Sequence, residues 1–284
     1  MRISVVTPSL NQGRYLEECL QSVLGQGYPD LEYLVMDGGS TDESVEVIER
    51  HDRELAFWVS EPDGGQAAAI NRGFEKATGD ILCWLNSDDM HLPGTIAWVA
   101  GHLRRGEPDL VFGDCVHIDE RTGRVHGTDV AARHAMSDLR LHDYLVQPAT
   151  FWTRDAWERV GPLDETLHFA FDWDWFIRAE AAGVKFTPLL RPLAVYRIHA
   201  QHKTASGAEA RRAEIADVLG RYAGPRFERM FARMCEHPDQ LRRIRTWTRR
   251  LHVKDMDALL LKLEFPAVCL GHDAQAIRDV AEMV

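Results

Sequence analysis

The sequence predicts an α/β fold, in which a doubly wound, mixed but mainly parallel sheet is flanked by helices and followed by a helical C-terminal extension. Three observations lead to this fold class. Strand-like and helix-like segments alternate over residues 1 to about 115, polar residues cluster where four successive strands end, and the chain looks helical throughout from about residue 206. Strands separated by helices pair in parallel through right-handed crossovers.

The first part of the chain supplies the strands and helices of this pattern. Its first helix is the clearest, because Tyr15, Leu16, Cys19, Leu20, Val23 and Leu24 form one apolar stripe at helical spacing. Ser40 and Glu43 have capping-box spacing at the start of the second helix. In chain order, the strand-like runs are "RISVVTP", "LEYLVMD", "LAFWVSEPD", "DILCWLNSDD" and "PDLVFGDCVHID".

After residue 119 the pattern is less regular. The run "GRVHGT" predicts a hairpin element, "SDLRLHDYL" and "RDAWERVG" predict short helices, and "FDWDWFIRAEAAG" predicts a longer one. One or two final strands are predicted in "VKFTPLLRPLAVYRIH". A domain boundary is expected near residue 205, and the helices beyond it are interrupted at Gly224-Pro225 and at Pro238.

Composition limits the class of protein. A hydrophobic fraction of 45% with eight Trp residues is enough for a real core. No apolar run approaches the roughly 20 residues of a membrane span, and the start "MRISVVTPS" does not resemble a signal peptide. The five cysteines are scattered, which argues against a disulfide framework or a zinc site. A cytoplasmic location is therefore expected.

Charge is distributed unevenly along the chain. The net charge is −11, yet the segment from Lys203 to Lys254 has thirteen Lys and Arg against six Asp and Glu. Nucleic-acid binding normally requires a basic face, so the acidic body is not expected to bind nucleic acid. The basic, partly apolar helix over residues 241–254 can lie on an anionic membrane surface. Packing of that helix on the protein itself, or in a homo-oligomer, is the alternative.

Polar clusters follow the first four predicted strands. An open parallel sheet binds its ligands beyond the carboxyl ends of its strands. A single polar loop is ordinary, but four of them at one edge predict a binding site. The clusters are Thr7 to Asn11, Asp37 to Asp42, Glu61 to Gln66, and Asn86 to Asp89.

The adjacent carboxylates of Asp88 and Asp89 follow a strand that reads as buried. Each would be costly to bury alone, so the pair must be solvated, paired or bound to a cation. A hard divalent cation such as Mg²⁺ or Mn²⁺ prefers oxygen ligands, and it would remove the repulsion between the two acids. A solvated turn is the alternative interpretation of this dipeptide.

Two longer stretches resemble a known family. The run from "VVTPSLNQGRYLEECL" to "VMDGGSTDESVEVI" resembles the N-terminal signature of the inverting family-two glycosyltransferases, which have the GT-A fold, and "ATGDILCWLNSDD" resembles their metal-site strand. The resemblance covers residues 1 to about 205, so a catalytic domain is expected at 1–205 and a helical extension at 206–284. It implies a metal-dependent transferase that moves a sugar, most often from a UDP-sugar, to a hydroxyl of a glycan or glycolipid in cell-surface polysaccharide assembly.

The resemblance also implies roles for the polar residues at the strand ends. Thr7 and Pro8 match positions beside the nucleobase and ribose, and Asp37 matches the carboxylate that recognises the base. Asp89 matches the principal metal ligand. Three further residues match positions that contact the nucleotide, ribose or sugar, namely Asp63, Gln66 and Asp88. The position of Asp88 can instead contact the metal through water. Turn formation is the alternative role for Asp37 and Asp63.

An inverting transfer requires a base that takes the proton of the acceptor hydroxyl. In "FAFDWDWFIRAEAAG", Asp172 matches the family's base, and Asp174 is the fallback. Phe171 stands where the family often has Glu, which changes the electrostatics beside the base. Capping of a helix is the alternative role for Asp172.

Two later segments resemble the family's acceptor cleft and closing segment. Gln147 and Pro148 in "QPATFWTR" match positions that line the acceptor cleft. In "YRIHAQHKT", His199 is the candidate third metal ligand. Arg197, His202 and Lys203 are candidate contacts to the diphosphate, with a hinge carrying incidental charges as the alternative.

The sequence also bears on three other classes of function. A dinucleotide-dependent oxidoreductase is disfavoured because no G-x-G-x-x-G motif occurs. A nucleotidyltransferase would normally have a glycine-rich, basic first loop, whereas "TPSLNQGRYLEE" contains a single Arg. A non-catalytic sugar-nucleotide-binding protein of the same fold is the remaining alternative, and Asp172 beside an intact acidic pair counts against it.

Overall fold

The structure is a computed structural model that describes residues 1–103, 108–203, 208–251 and 256–284. Its contacts form two compact units, Met1–Ala131 with Leu145–His202, and Ala132–Tyr144 with Lys203–Val284. The chain passes into the second unit after His202, close to the predicted boundary near residue 205. The segment 132–144 also belongs to the second unit, whereas the predicted boundary near residue 205 places it in the first. The catalytic role given to residues 1–205 stays a prediction.

The first unit is built on one nine-stranded sheet in the order β3-β2-β1-β4-β8-β6-β9-β5, with β7 paired to β6. The pairs along β3-β2-β1-β4 are all parallel, as predicted, and β6 pairs with β9 in parallel. Strand β8 pairs antiparallel with both β4 and β6, so the sheet is mixed. The strands are β1 (Ile3–Ser9), β2 (Leu31–Asp37), β3 (Phe57–Ser60), β4 (Ile81–Trp84), β5 (Met90–His91), β6 (Leu110–Asp119), β7 (Arg124–Gly127), β8 (Thr150–Thr153) and β9 (Phe186–Ile198).

Helices cover this sheet and explain the apolar runs of its strands. All seven residues of β1 are buried, because the strand lies between β2 and β4 inside the sheet. The predicted apolar stripe of α1 is buried from Tyr15 to Val23. Up to residue 181 the helices are α1 (Gly13–Leu24), α2 (Ser44–Arg50), α3 (Gln66–Lys76), α4 (Thr95–Leu103), α5 (Val130–Met136), α6 (Arg154–Val160) and α7 (Phe171–Ala181), with a 3₁₀ turn at Gln147–Ala149.

An aromatic cluster fixes α6 and α7 against the sheet. Trp152 on β8 packs against Trp84 and Trp175, with ring centroids 5.3 and 4.7 Å apart. The indole N–H of Trp175 donates to the carbonyl of Gly161 at 2.9 Å. Trp157 on α6 stacks on Trp175 at 5.6 Å. Large apolar rings packed in this way bury much surface, so α7 is a rigid platform for the residues at its first turn.

Within the described ranges, the second unit comprises the segment 132–144 and six helices. Asp279 is 2% exposed and accepts hydrogen bonds from the Ser137 hydroxyl at 2.9 Å and the Asp138 amide at 3.2 Å. These bonds hold the segment on the last helix. In chain order the helices are α8 (Ala208–Tyr222), α9 (Pro225–Cys235), α10 (Pro238–Leu251), α11 (Met256–Glu264), α12 (Pro266–Cys269) and α13 (Ala274–Glu282).

Two local predictions were wrong for the same reason. The predicted helix in "SDLRLHDYL" is absent, because Ser137 and Asp138 bond to Asp279 instead of continuing α5. The predicted capping box at Ser40 and Glu43 is also absent, since α2 begins at Ser44 and neither side chain caps it. In both places a distant partner competes for the polar groups that a local motif would use.

The basic helix 241–254 differs from its prediction. Leu241 and Ile244 are buried within the second unit, at 2% and 6% exposure, while Trp247 is 61% exposed. Two members of the apolar stripe therefore pack inside the protein, as the alternative interpretation stated. The side chains of 249–251 and the residues 252–255 lie outside the described residues. Among the helices of the described ranges, none has both the length and the apolar character to cross a bilayer.

The start of α1 approaches the next loop closely. A Cβ added to Gly13 would lie 2.6 Å from Cγ of Glu43 and 2.9 Å from the backbone nitrogen of Ser44. We expect Gly13→Ala to lower the free energy of unfolding by about 1–3 kcal/mol, because the helix would have to move away from that backbone. Urea denaturation followed by circular dichroism measures the change.

Gly101→Ala in α4 is the matched control, because an added Cβ there meets nothing within 4 Å. Replacing an unobstructed helical glycine by alanine raises stability by up to about 1 kcal/mol. Equal effects of the two substitutions would contradict the close approach at Gly13.

Candidate active site

The four polar clusters lie side by side at one edge of the sheet. Ser9 and Asp37 are register partners at the ends of β1 and β2. The amide of Glu61 donates to the carbonyl of Asp37 at 3.0 Å, and the amide of Leu85 donates to the carbonyl of Val6 at 2.9 Å. The parallel register therefore gathers the ends of β1 to β4, as the sequence analysis predicted.

The loop after β1 is pinned by the loop after β2. The amide of Asn11 donates to the Ser40 hydroxyl at 2.7 Å, and the amide of Gly13 donates to Asp42 at 3.0 Å. Asn11 has a φ of 52°, a left-handed conformation that Asn tolerates, and its side-chain oxygen accepts from the Thr41 amide at 2.8 Å. Burial alone would raise the pKa of Asp42, but hydrogen bonds from Ser44 and the Gly13 amide lower it. The run "STDES" thus fixes the start of α1.

Asp37 is enclosed by its own turn. Its side chain is 2% exposed. One oxygen accepts from the amides of Gly39 and Ser40 at 3.1 and 2.8 Å and from the Ser60 hydroxyl at 2.7 Å, and the other accepts from the Ser40 hydroxyl at 2.5 Å. Because Asp37 is buried, a base could reach this carboxylate only if the turn around it opened. The role of Asp37 in base recognition stays a prediction.

Thr7 and Pro8 lie within the last three residues of β1, close to its predicted end, and both are buried. Thr7 is fully buried, and its hydroxyl pairs with that of Tyr33 at 2.9 Å. The thiol of Cys19 lies in the same network and donates to the carbonyl of Asn86 at 3.4 Å. Burial raises the pKa of Cys19 to about 12, so this thiol is a neutral packing group. The Thr7 hydroxyl is therefore used inside the protein, and the contacts predicted for Thr7 and Pro8 with the nucleobase and ribose stay predictions.

Gln66 and Asn86 connect the start of α3 to the acidic pair. The Gln66 amide donates to the side-chain oxygen of Asn86 at 2.7 Å, and Asn86 donates in turn to Asp89 at 3.5 Å. Gln66 is predicted to contact the donor, whereas in the structure its amide orients Asn86. Asn86 lies within one of the predicted polar clusters, although nothing in the sequence indicates a specific role for it.

Asp89 is the most constrained carboxylate of the site. It is 1% exposed, and its Oδ1 accepts from the amide of Arg197 at 3.0 Å. Burial raises the pKa of Asp89 well above its usual value, and the adjacent charge of Asp88 raises it further. Asp88 itself contacts Nε2 of His199 at 3.0 Å. Asp88, Asp89 and His199, three of the residues predicted around the metal, are therefore brought together.

The side chains of Asp88, Asp89 and His199 are of the chemical types that can bind a hard divalent cation. Two carboxylates and an imidazole are common ligands of Mn²⁺, and a cation would offset the repulsion that raises the pKa of Asp89. Nδ1 of His199 is buried with no hydrogen-bond partner among the described residues. In the ranges that the structure describes, no three His, Cys, Asp or Glu side chains have their ligand atoms already gathered around one point. Asp88 pairs instead with His199.

The closing segment differs from its prediction at Arg197. Its guanidinium donates to Glu18 at 2.6 Å, lies 3.6 Å from Glu120, and sits 4.9 Å from the centre of the Tyr15 ring. A side chain that is 9% exposed and doubly paired is not a ready contact for a diphosphate. It holds the end of β9 against α1 instead.

Tyr15 also packs on His199, with ring centroids 4.4 Å apart. His202 is 9% exposed and packs edge-on against the rings of Tyr196 and His199. Lys203 is the first residue of the second unit's helical part. The diphosphate contacts predicted for His202 and Lys203 stay predictions. A cleft of about 710 Å³ opens beside His199, between the start of α1 and the turn at Glu120.

Gln147 and Pro148 are both buried. The Gln147 amide donates to the carbonyl of Trp84 at 2.7 Å, and its side-chain oxygen has no hydrogen-bond partner among the described residues. Gln147 therefore braces the end of β4. The predicted contact of both residues with an acceptor would require this buried oxygen to become accessible.

The two candidate bases lie on the first turn of α7 in different surroundings. Asp174 is 1% exposed and accepts from Arg178 at 2.8 Å. Asp172 is partly exposed, and its Oδ1 accepts from the amide of Trp173 at 2.8 Å. Phe171 packs on Trp84 at the end of β4, with ring centroids 6.2 Å apart. The helix start that carries Asp172 is therefore anchored to the strand that leads into the acidic pair.

Comparison with known proteins identifies the family of the chain. The sequence model described as Glycosyl transferase family 2 matches residues 4–160. The chain is 28% identical over 224 residues to "Uncharacterized glycosyltransferase alr2836" of Nostoc sp., a match that covers 74% of this chain and 69% of the relative. The first curated relatives are matched over 51 to 69% of their own length.

Two solved structures share the fold. TarS 1–349 of S. aureus in complex with UDP-GlcNAc has a TM-score of 0.65 at 16% identity, with 100% of this chain and 90% of that chain covered. The mannosyltransferase PcManGT of Pyrobaculum calidifontis, in complex with GDP-Man and Mn²⁺, has a TM-score of 0.59 at 20% identity, with 99% and 79% covered. At these identities the similarity shows the GT-A-type fold alone. Because the family model matches more than half of its length, the chain belongs to glycosyl transferase family 2.

Proposed function

We propose that this chain is an inverting, metal-dependent glycosyltransferase, which moves a sugar from a nucleoside-diphosphate donor to a hydroxyl group of an acceptor. The observation that carries the proposal is the buried carboxylate of Asp89 beside the Asp88–His199 pair. A carboxylate with a raised pKa is unfavourable when ionised, and a bound cation would remove that cost. Such a site at the carboxyl edge of a sheet suits a diphosphate.

Asp89, Asp88 and His199 would hold the cation, with Asp89 as its principal ligand. When bound, Mn²⁺ or Mg²⁺ supplies positive charge that stabilises the departing diphosphate. The protein prepares this position through three contacts. Asn86 and the Arg197 amide orient Asp89, and the Tyr15 ring supports His199.

Asp172 is the proposed general base. It would accept the proton of the acceptor hydroxyl as that oxygen attacks the anomeric carbon from the face opposite the diphosphate. One displacement of this kind inverts the anomeric centre, and no covalent enzyme intermediate is needed. Asp172 suits this role better than Asp174, because it is partly exposed whereas Asp174 is buried against Arg178.

The proposed acceptor is a glycan or glycolipid of the cell surface, and the proposed donor is a UDP-sugar. TarS, which has the same fold, was solved with UDP-GlcNAc. The exposed Trp247 beside Arg242 and Arg243 on α10 is the remaining support for contact with an anionic membrane. Assembly into a homo-oligomer is the alternative use of this surface.

Nucleotide binding and turnover test the proposal directly. Thermal unfolding with UDP, GDP or dTDP, each with Mn²⁺ or with EDTA, should give a rise in Tm that requires both nucleotide and metal. Release of UDP from a UDP-sugar, measured with and without Mn²⁺, then separates an enzyme from a binding protein. If nucleotide and Mn²⁺ raise the Tm but no combination of donor and acceptor is turned over, the chain would be a non-catalytic sugar-nucleotide-binding protein.

Asp89→Asn should have opposite effects with and without ligand. The amide of Asn keeps the shape of the carboxylate without its charge, so the variant no longer pays the free energy of burying that charge. In EDTA we therefore expect its Tm to rise, by about 2–4 °C for each kcal/mol gained in the free energy of unfolding. With Mn²⁺ and UDP, the wild type should gain stability and the variant should not.

Asp155→Asn is the control for the loss of one carboxylate, since the side chain of Asp155 is 80% exposed. Its response to Mn²⁺ and UDP should match that of the wild type. If Asp89→Asn responded to Mn²⁺ and UDP as the wild type does, the metal site would not be at Asp89.

Asp172→Asn should reduce transfer by about 10²–10⁴-fold, the usual contribution of a general base. Its stability and its affinity for UDP should stay unchanged, because Asn can still accept the Trp173 amide. Steady-state kinetics and calorimetry measure both quantities.

Asp174→Asn provides the contrast. It weakens the bond to Arg178 and should lower the free energy of unfolding by about 1–3 kcal/mol. Transfer per folded molecule should change little. If Asp174→Asn lost most of its transfer activity while Asp172→Asn kept normal activity, Asp174 would be the general base and Asp172 would not.

A further inference from the structure

Helix α3 contacts both halves of the proposed active site. Near its start, the Gln66 amide donates to Asn86, which donates in turn to Asp89. Five residues later, and therefore about 7.5 Å further along the helix axis, Asn71 bonds to the loop between α6 and α7. That loop leads into the first turn of α7, where Asp172 lies. One helix thus contacts the group that orients the proposed metal ligand and the loop that precedes the proposed base.

The side-chain amide of Asn71 matches this loop group by group. Its Oδ1 accepts from the amide of Leu163 at 2.9 Å, and its Nδ2 donates to the carbonyl of Leu163 at 3.0 Å and to Glu165 at 2.8 Å. Asn71 is 6% exposed, so these bonds are shielded from water. An Asp carboxylate has no donor, and a Gln amide lies one methylene further from the helix. This set of contacts therefore requires Asn at position 71.

Helix α3 is packed closely on the sheet. A Cβ added to Gly73 would overlap the side chain of Val6 on β1. The apolar residues on the inner side of the helix are buried, namely Ala67, Ala68, Ala69, Ile70 and Phe74. Because interiors packed in this way have few voids, the helix cannot move without disturbing the sheet. It is therefore a fixed reference for the loop that Asn71 contacts.

The same loop is also bonded to α7. The guanidinium of Arg178 donates to the carbonyl of Val160 at 3.0 Å and to that of Pro162 at 2.8 Å. Residues 160–165 therefore bond to α7 on one side and to Asn71 of α3 on the other. The aromatic cluster holds α7 as well, but burial of apolar surface is non-directional. Hydrogen bonds to backbone groups fix distance and direction, so the loop sets the position of α7 more sharply.

We propose that Asn71 is a positioning residue for the reaction, which acts through the loop at 163–165 and α7 to place Asp172 relative to the metal ligands. A base must lie within hydrogen-bond reach of the proton that it takes, and a displacement of about 1 Å can cost about 10²-fold in rate. The donor binds at the other half of the site, so Asn71 affects turnover rather than donor affinity. This inference rests on the proposed function, because it concerns the base of that reaction.

Kinetics and calorimetry on the full chain test this role. The substrate is the UDP-sugar that the wild type hydrolyses with Mn²⁺, chosen from UDP-GlcNAc, UDP-glucose and UDP-galactose, and water takes the place of the acceptor hydroxyl. Asn71→Ala should lose about 10- to 100-fold in kcat per folded molecule. Its KM for the UDP-sugar and its Kd for UDP with Mn²⁺ should not change. The amide of Leu163 should exchange its hydrogen faster than in the wild type, because it loses its acceptor.

A pair of substitutions at positions 71 and 165 gives the sharper result. Asn71→Asp keeps the shape of the side chain but sets a second carboxylate against Glu165, so kcat should fall as in Asn71→Ala. Glu165→Gln alone should keep a normal kcat, because its side-chain oxygen can still accept from Asn71. In the double variant Asn71→Asp/Glu165→Gln, the new amide can donate to the new carboxylate. That variant should therefore recover part of the kcat that Asn71→Asp loses.

Arg154→Ala is the matched control for a loss of stability. Arg154 donates to the carbonyls of Ala77 and Gly79, both at 2.8 Å, so it also binds backbone groups beside α3. These carbonyls precede β4 and lie at the edge of the sheet opposite the site. Arg154→Ala should lower the midpoint of urea denaturation, as Asn71→Ala does, and should leave kcat unchanged.

The outcomes separate this inference from the proposed function. If Asn71→Ala is destabilised but keeps the kcat of the wild type, the positioning role is wrong and the proposed function stands. A loss of affinity for UDP as large as the loss in kcat would also overturn the role, because Asn71 would then support donor binding. If Asn71→Ala does not fold, the recovery of kcat in the double variant decides, and no recovery overturns the role. If the wild type neither binds UDP with Mn²⁺ nor hydrolyses any of the three sugars, the proposed function and this inference fail together.

Discussion

The buried carboxylate of Asp89 is the constraint on which the rest of the site depends. An ionised carboxylate is costly to bury unless other groups compensate its charge. Asp89 lies just after β4, and it accepts a hydrogen bond from the amide of Arg197, 108 residues later. That bond requires β9 to return across the sheet to the end of β4. The antiparallel pair of β5 with β9, in which Met90 faces Val195, sets this return.

The return of β9 explains charged residues that look like ligand contacts in the sequence. Arg197 pairs with Glu18 on α1 and lies 3.6 Å from Glu120 at the end of β6. The Tyr15 hydroxyl also donates to Glu120, at 3.1 Å, while the ring packs on His199. One cation, two acids and one ring thus join α1, β6 and β9 around the imidazole that faces Asp88. Fixing an imidazole in this way removes conformational entropy that binding would otherwise cost.

The sequence predicted the fold where neighbouring elements determine it. The strands and helices up to about residue 115 follow from local periodicity, and their parallel order follows from the alternation. The antiparallel insertion of β8 between β4 and β6 could not be predicted, because Ile81 pairs with Thr153 from a distant segment without a pattern of its own. The capping box at Ser40 failed similarly. The Ser40 hydroxyl bonds to Asp37 and to the Asn11 amide across two loops, and spacing along the chain cannot reveal a partner 29 residues away.

The sequence predicted which residues lie at the site better than it predicted what each of them does there. Asp88, Asp89 and His199 come together as expected, since a strand end and a closing segment bring them to one edge. Thr7, Gln66, Gln147 and Arg197 instead direct their polar groups to the protein. A strand end carries backbone amides and carbonyls that must be paired before any ligand arrives, and short polar side chains beside them are the nearest partners. Polar residues at such an edge therefore divide into those that complete the turns and those left to face a ligand. A residue belongs to one group or the other according to the number of hydrogen-bond donors that already surround its side-chain oxygens. That number is set only when the chain is folded.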